Sequence, residues 1–127
     1  FMLSGHMPRD ELVNQMFSDM FKSKVKARIY TLLLRKKHAT SEEIAKHTGF
    51  YPSTVREALS EMFEQNLVYR KKMKKDSKGK NPYIYYPVPP IKILRGYIKD
   101  IEDKFNRMNK SNRRLQIKIE MAKGDQT

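Results

Sequence analysis

Two groups of side chains in this chain of 127 residues have the types and spacing to do chemistry, and both suit the binding of anions and hydrogen-bonding edges. The stretch Arg70 to Asn81, RKKMKKDSKGKN, carries Arg70, Lys71, Lys72, Lys74, Lys75, Lys78 and Lys80 against Asp76, a net of 7 − 1 = +6. The second group, Tyr51, Ser53, Thr54, Arg56, Glu57 and Ser60, sits in YPSTVREALS, where hydroxyls, a guanidinium and a carboxylate recur at helical spacing. Bond-making chemistry has no comparable support. The chain has no Gly-rich phosphate loop, no histidine pair and no nucleophile elbow, and Asp100, Glu102 and Asp103 follow one another along a solvated helix face. An enzyme is therefore not expected.

Composition agrees with an anionic partner. Lys and Arg number 27 against 14 Asp and Glu, a net charge of +13 with a pI near 10.0, more than solubility requires. Cysteine is absent, so disulfides and thiolate metal sites are excluded, and the usage fits a reducing, cytoplasmic setting. His38 and His47 have no second histidine at ligand spacing, so neither a metal nor another cofactor is expected. No apolar run approaches the roughly 18 to 20 residues that span a bilayer. Residues 1–6, FMLSGH, have the character of an expression-tag remnant and are set aside.

The elements that must position these groups can be taken in order. Leu12, Val13, Met16, Phe17, Met20 and Phe21 make one apolar face of a helix from Asp10 to Phe21, to be packed on its own domain or on a second subunit. Ser23 can cap a second helix, from about Lys24 to Lys37, with Val25, Ile29, Leu32 and Leu33 inward. Thr40 and Glu43 form a capping box for a third helix, Gly49 breaks it, and Val55, Ala58, Leu59, Met62 and Phe63 make a broad apolar stripe on a fourth. Two short helices joined by so tight a turn make a helix-turn-helix over residues 40–66. After Asn66, which can end the helix in the left-handed conformation, Leu67–Tyr69 and Tyr83–Tyr86 predict a two-stranded hairpin over 67–88, closed by Pro87, Pro89 and Pro90.

Beyond Pro90 the positions Leu94, Ile98, Ile101, Phe105, Met108, Asn112, Leu115 and Ile119 alternate at intervals of four and three. That is a coiled-coil seam, predicting a helix over 90–122 about 40 Å long, with a flexible tail at 123–127. Asn112 at an a position favours a two-stranded arrangement, so this helix is expected to form a homodimer, with strand orientation left open. The fold class is thus mainly α with a small β-hairpin, organised as a domain at 7–89 followed by a dimerisation helix.

With that order of elements, the run SEEIAKHTGFYPSTVREALSEMFEQNLVYR from Ser41 to Arg70 resembles the winged helix-turn-helix transcriptional regulators, TrmB-like and ArsR-like above all. The shared features are an Ile-Ala pair, a turn glycine, an S-T-V opening of the recognition helix and an apolar Leu-Val starting the wing. Full-length TrmB proteins typically carry a further effector-binding domain, for which this length leaves no room. The resemblance implies sequence-specific binding of double-stranded DNA, with the recognition helix in the major groove and the wing on backbone or minor groove. Ser53 and Thr54 would bond phosphate, Arg56 guanine and Glu57 a cytosine amino group, with Tyr51 and Ser60 at the margins. Arg70, Lys71, Lys72, Lys74, Lys75, Lys78 and Lys80 would supply sequence-independent attraction. From Pro52 to Gln65 one Arg faces three Glu, a net of 1 − 3 = −2, so only the amino-terminal turns of that helix are expected to approach the bases. Winged helices also serve as protein-interaction modules or bind RNA, and both stay open alternatives. An effector is unassigned: Met16, Phe17, Met20, Met62, Phe63 and Phe105 could line an apolar pocket, but such stripes more often form core.

Overall fold

The computed structural model describes residues 9–73, 82–109, 116–120 and 122. The elements are α1 (Arg9–Phe21), α2 (Lys24–Lys36), β1 (Ala39–Thr40), α3 (Ser41–Thr48), α4 (Pro52–Glu64), β2 (Val68–Lys72), β3 (Tyr83–Pro87) and α5 (Pro90–Met108). They fall into two compact units, the first ending at Val88 and the second beginning at Pro89.

The first unit is built on α2. Ser23 accepts from the Lys26 N–H at 3.1 Å, fixing where the helix starts, and Ala27, Ile29, Tyr30, Leu32 and Leu33 are buried along it. Ile44 of α3 and Val55, Ala58, Leu59 and Met62 of α4 complete the core with Ala39, Leu67, Val68 and Tyr85. Each large apolar side chain removed from water here contributes about 1.5 to 3 kcal/mol before conformational entropy is charged. The helix α1 packs on this same unit through rings: Phe17 meets Tyr30 edge-on at 4.7 Å between centroids and stacks on Phe21 at 5.3 Å. Leu12 and Met16, expected on the same packed face, are exposed.

The sheet has three strands where the sequence predicts a hairpin. Its order is β1-β3-β2, antiparallel throughout, with Ala39 opposite Tyr85, Thr40 opposite Ile84 and Arg70 opposite Tyr85. A two-residue strand carries no periodicity of its own, so β1 could be found only through its partner. The strand β2 also extends through Lys72, so Arg70, Lys71 and Lys72 lie in the sheet and not in the connecting loop. Met73 continues the pairing, its N–H donating to the Pro82 carbonyl at 2.8 Å.

The second unit departs furthest from expectation. The helix predicted over 90–122 ends at Met108, and its 19 residues span about 28 Å. Asn109 ends it, the backbone N–H and the Nδ2 amide both donating to the Phe105 carbonyl, at 3.1 and 3.0 Å. Residues 116–120 are not helical. Asn106 receives the Ile117 N–H at 2.9 Å and donates to the Ile117 carbonyl at 3.2 Å, while the Ile119 N–H donates to the Glu102 carboxylate. Ile119 is therefore not a further seam position of a continuous helix, and Asn112 and Leu115 lie outside the described residues. The physical reason is local: the Asn109 side chain bonds the backbone at the helix end, and Ile117-Lys118-Ile119 alternates with a strand's period of two.

Tyr30 ties the first unit to its last residue, its hydroxyl donating to the Val88 carbonyl. Burial pushes that phenol above its ordinary value. The unfolded chain gives up this proton near pH 10 while the folded chain keeps it, so stability is complete below about pH 10 and declines above it. Tyr30→Phe should cost about 1 to 2 kcal/mol at neutral pH by orphaning the Val88 carbonyl, and should flatten the alkaline decline. Denaturant unfolding at pH 7 and pH 11 checks both.

Candidate nucleic-acid interface

The helix-turn-helix is set by bonds between near neighbours in the chain. Thr40 Oγ1 accepts from the Glu43 N–H at 3.2 Å, and Glu43 Oε1 accepts from the Thr40 N–H at 2.8 Å, closing the expected capping box. The backbone bond from Thr40 is the main cause holding the Glu43 carboxyl below its ordinary value, against an opposing effect of burial. Gly49 ends α3 at φ 79, a left-handed conformation that a Cβ would strain, with its N–H donating to Ala45 at 2.9 Å. The chain then reaches Pro52 at the first position of α4.

Burial of Val55, Ala58, Leu59 and Met62 leaves the opposite face of α4 to Ser53, Arg56, Glu57 and Ser60, all exposed. Thr54 is half-buried beside them. Tyr51, 80% exposed, gives α4 no side-chain cap. Pro52 has no N–H, so the backbone donors of Ser53 and Thr54 are left to an outside acceptor at the positive end of the helix dipole. Hydroxyls, these donors and the Arg56 guanidinium therefore share one exposed surface that can bind an anion.

The acidic second half of α4 is milder than its sequence suggests. Glu61 pairs with Lys26 of α2 at 2.7 Å, and the same ammonium donates to Gln65 at 3.3 Å. Glu57 and Glu64 remain exposed. On the wing Lys71 and Lys72 are exposed, whereas Arg70 is half-buried, its guanidinium 4.0 Å from the Phe63 ring and 4.3 Å from the Tyr83 ring. Lys74, Lys75, Lys78 and Lys80 lie outside the described residues. On the other face of the sheet Tyr69 stacks on Tyr86 at 5.0 Å, with His38 at 5.5 Å from Tyr86 and Lys71 over the same ring. Sequence reasoning missed this row and the ring contacts of Arg70; strand alternation, with Tyr83 and Tyr85 on one face and Tyr86 on the other, was the available signal.

Of the first-unit residues that could have lined an apolar pocket, Met16, Phe17, Met20, Met62 and Phe63, only two are buried. Phe17 and Met62 are core, Met16 and Phe63 are exposed, and the shallow groove beside α1 is lined by Asn14, Gln15, Ser18, Val25, Arg28 and Phe50 among others. Among the described residues no cluster of His, Asp and Glu could hold a metal, and no helix is long and apolar enough to cross a membrane.

Comparison with known proteins decides the family. The sequence profile described as sugar-specific transcriptional regulator TrmB matches residues 23–91, more than half of the chain. The chain belongs to the TrmB family. No curated protein sequence matches it. Among solved structures it is similar to a possible transcriptional regulator from Methanosarcina mazei Go1, at 15% identity and a TM-score of 0.64, covering 89% of this chain and 96% of that one. It is also similar to TrmBL2, described as an archaeal chromatin protein with a novel mode of DNA binding, at 17% identity and a TM-score of 0.67. That match covers 84% of this chain and only 39% of TrmBL2. The ST1889 protein of Sulfolobus tokodaii matches at 22% identity and a TM-score of 0.55, covering 82% of this chain and 98% of that one. At such identities these likenesses establish the winged-helix fold alone.

Within this TrmB-family winged helix the uncapped start of α4 is open to direct test. Tyr51→Ser should supply the missing acceptor and stabilise the fold by about 0.5 to 1 kcal/mol, read as a rise in the midpoint of thermal unfolding. An unchanged midpoint would mean that the first-turn donors already have partners.

Proposed function

We propose that this TrmB-family chain is a transcriptional regulator that binds double-stranded DNA as a homodimer, with the start of α4 in the major groove and the wing on the backbone or minor groove. The observation that carries this reading is the exposed set Ser53, Arg56, Glu57 and Ser60 on the face of α4 opposite its core stripe. A helix buried on one side and lined on the other by groups that donate to guanine and phosphate, or accept from cytosine, is built to present that side to a groove. Thr54 and the exposed ring of Tyr51 flank the contact.

Affinity comes from the wing. Lys71 and Lys72 extend along β2 toward Lys74, Lys75, Lys78 and Lys80, and their neutralisation of phosphates releases counterions whatever the base sequence. Lys26 supports the approach by neutralising Glu61, which lessens repulsion between α4 and the phosphates.

Pairing of two chains is assigned to α5. None of its residues is buried, and Leu94, Ile98, Ile101, Phe105 and Met108 form an apolar stripe along it, Met108 being 84% exposed. The seam is shorter than the heptads predict, and the extended segment at 116–120 lies along α5 through Glu102 and Asn106.

Fluorescence anisotropy with duplex fragments of the source genome tests the reading. A dimer that neutralises about eight phosphates should lose affinity with a log–log salt slope of roughly −7. Changing Lys74, Lys75, Lys78 and Lys80 together to Glu should abolish duplex binding while sedimentation still reports a dimer. Duplex affinity retained by that variant contradicts the proposal.

A further inference from the structure

Arg70 stands apart from Lys71 and Lys72, the other wing cations among the described residues. It shares its strand face with Val68, which is buried, and lies opposite Tyr85, also buried; Lys71 points to the other face with Tyr69. Its guanidinium sits between two rings from two different elements, Phe63 in the last turn of α4 and Tyr83 at the start of β3. Both centroid distances are well inside the range for a cation over an aromatic face, and a planar guanidinium can take a ring on each side where an ammonium cannot. Tyr83 lies diagonally across the strands from Arg70 on the same face, so one contact ties β2 to β3 and the other ties the hairpin to α4.

The place of this clamp matters because the covalent link between α4 and the wing is short. Asn66 takes the left-handed conformation at φ 61, the Asn66 N–H donates to Phe63 at 3.2 Å and the Leu67 N–H to Met62 at 2.8 Å. These bonds set where the wing begins. Beyond Val68 the hairpin is anchored at one edge by the pairing of β3 with β1, and on the side of α4 the Arg70 side chain touches both the helix and the opposite strand.

We propose that Arg70 is a positioning residue, its guanidinium between Phe63 and Tyr83 fixing the angle of the wing to α4 and making no phosphate contact of its own. This rests on the reading of α4 and the wing as a duplex-binding surface. With the angle fixed, the exposed groups of α4 and the ammonium groups of the wing engage one duplex together; with it loose, the same groups pay the entropy of aligning at each encounter.

Three variants separate positioning from contact. Arg70→Lys keeps the charge and loses the plane, Arg70→Met loses the charge, and Phe63→Leu keeps every charge on the protein. Anisotropy titrations over a range of salt should show each binding duplex about three- to tenfold more weakly at fixed salt, a cation–π contribution expressed as affinity. The log–log salt slope should stay that of the wild type. The double variant Arg70→Met with Phe63→Leu should bind no more weakly than the weaker single variant, since Arg70→Met already removes the contact that Phe63→Leu removes. Wild-type affinity in Arg70→Lys together with a slope flatter by about 0.9 in Arg70→Met would make Arg70 a phosphate contact and overturn the proposal. Wild-type affinity in Phe63→Leu would overturn it equally.

A second readout needs no DNA. Residual dipolar couplings of the β2–β3 amides, fitted in the alignment frame of α4, should show one wing orientation in the wild type and reduced couplings in Arg70→Lys, a charge-conserving change at a half-buried site. Unchanged couplings in Arg70→Lys contradict the clamp. If the wild type binds no duplex, the functional reading fails, and the couplings alone still decide the role of Arg70.

Discussion

The burial of Val55, Ala58, Leu59 and Met62 against α2 and α3 is the constraint from which the candidate site follows. A helix has one circumference, and once that stripe is sealed the rotation of α4 is fixed and its solvent face consists of Ser53, Arg56, Glu57, Ser60 and Glu64. Moving any one of these inward would require an apolar side chain to move out, at a cost of about 1.5 to 3 kcal/mol for each buried residue exchanged. The identity of the exposed face is therefore decided by the core, and the capping box at Thr40 and the left-handed Gly49 deliver α4 to that core at the right angle.

The charges of helix and wing differ in sign and surroundings. The start of α4 offers an uncapped dipole and a guanidinium, whereas its later turns carry glutamates that repel phosphate. The protein lessens that repulsion through Lys26, which spans from α2 to hold Glu61. Lys71 and Lys72 put exposed positive charge on the strand that follows. Of the wing cations described, Lys71 and Lys72 face solvent, while Arg70 is drawn between two rings and acts within the protein. A net charge counted along the chain gives all of these residues the same weight, but their surroundings do not.

What could be read from the sequence was what short-range chemistry determines. The Thr40–Glu43 box, the Ser23 cap, the turn at Gly49, the left-handed Asn66 and the core stripe of α4, from which only Phe63 is missing because it is exposed, all depend on residues within about one or two helical turns of one another. The strand β1 was not legible, because Ala39 and Thr40 become a strand only by meeting Tyr85 and Ile84. The end of α5 was obscured differently: Ile119 falls on a heptad position while Ile117 and Ile119 belong to an extended segment bonded to Asn106 and Glu102. Nothing local distinguishes Arg70 from its lysine neighbours; its rings come from α4 and β3.

The central claim, that the outward face of early α4 and the cations of β2 form one DNA-binding surface, is tested most directly by NMR titration of the labelled protein with a duplex it binds. The account predicts the largest amide shifts at Ser53, Thr54, Arg56 and Glu57 together with Lys71 and Lys72, while His38, Tyr69 and Tyr86 stay near their free positions. Shifts concentrated on the row of His38, Tyr86 and Tyr69, with the start of α4 unmoved, would contradict it.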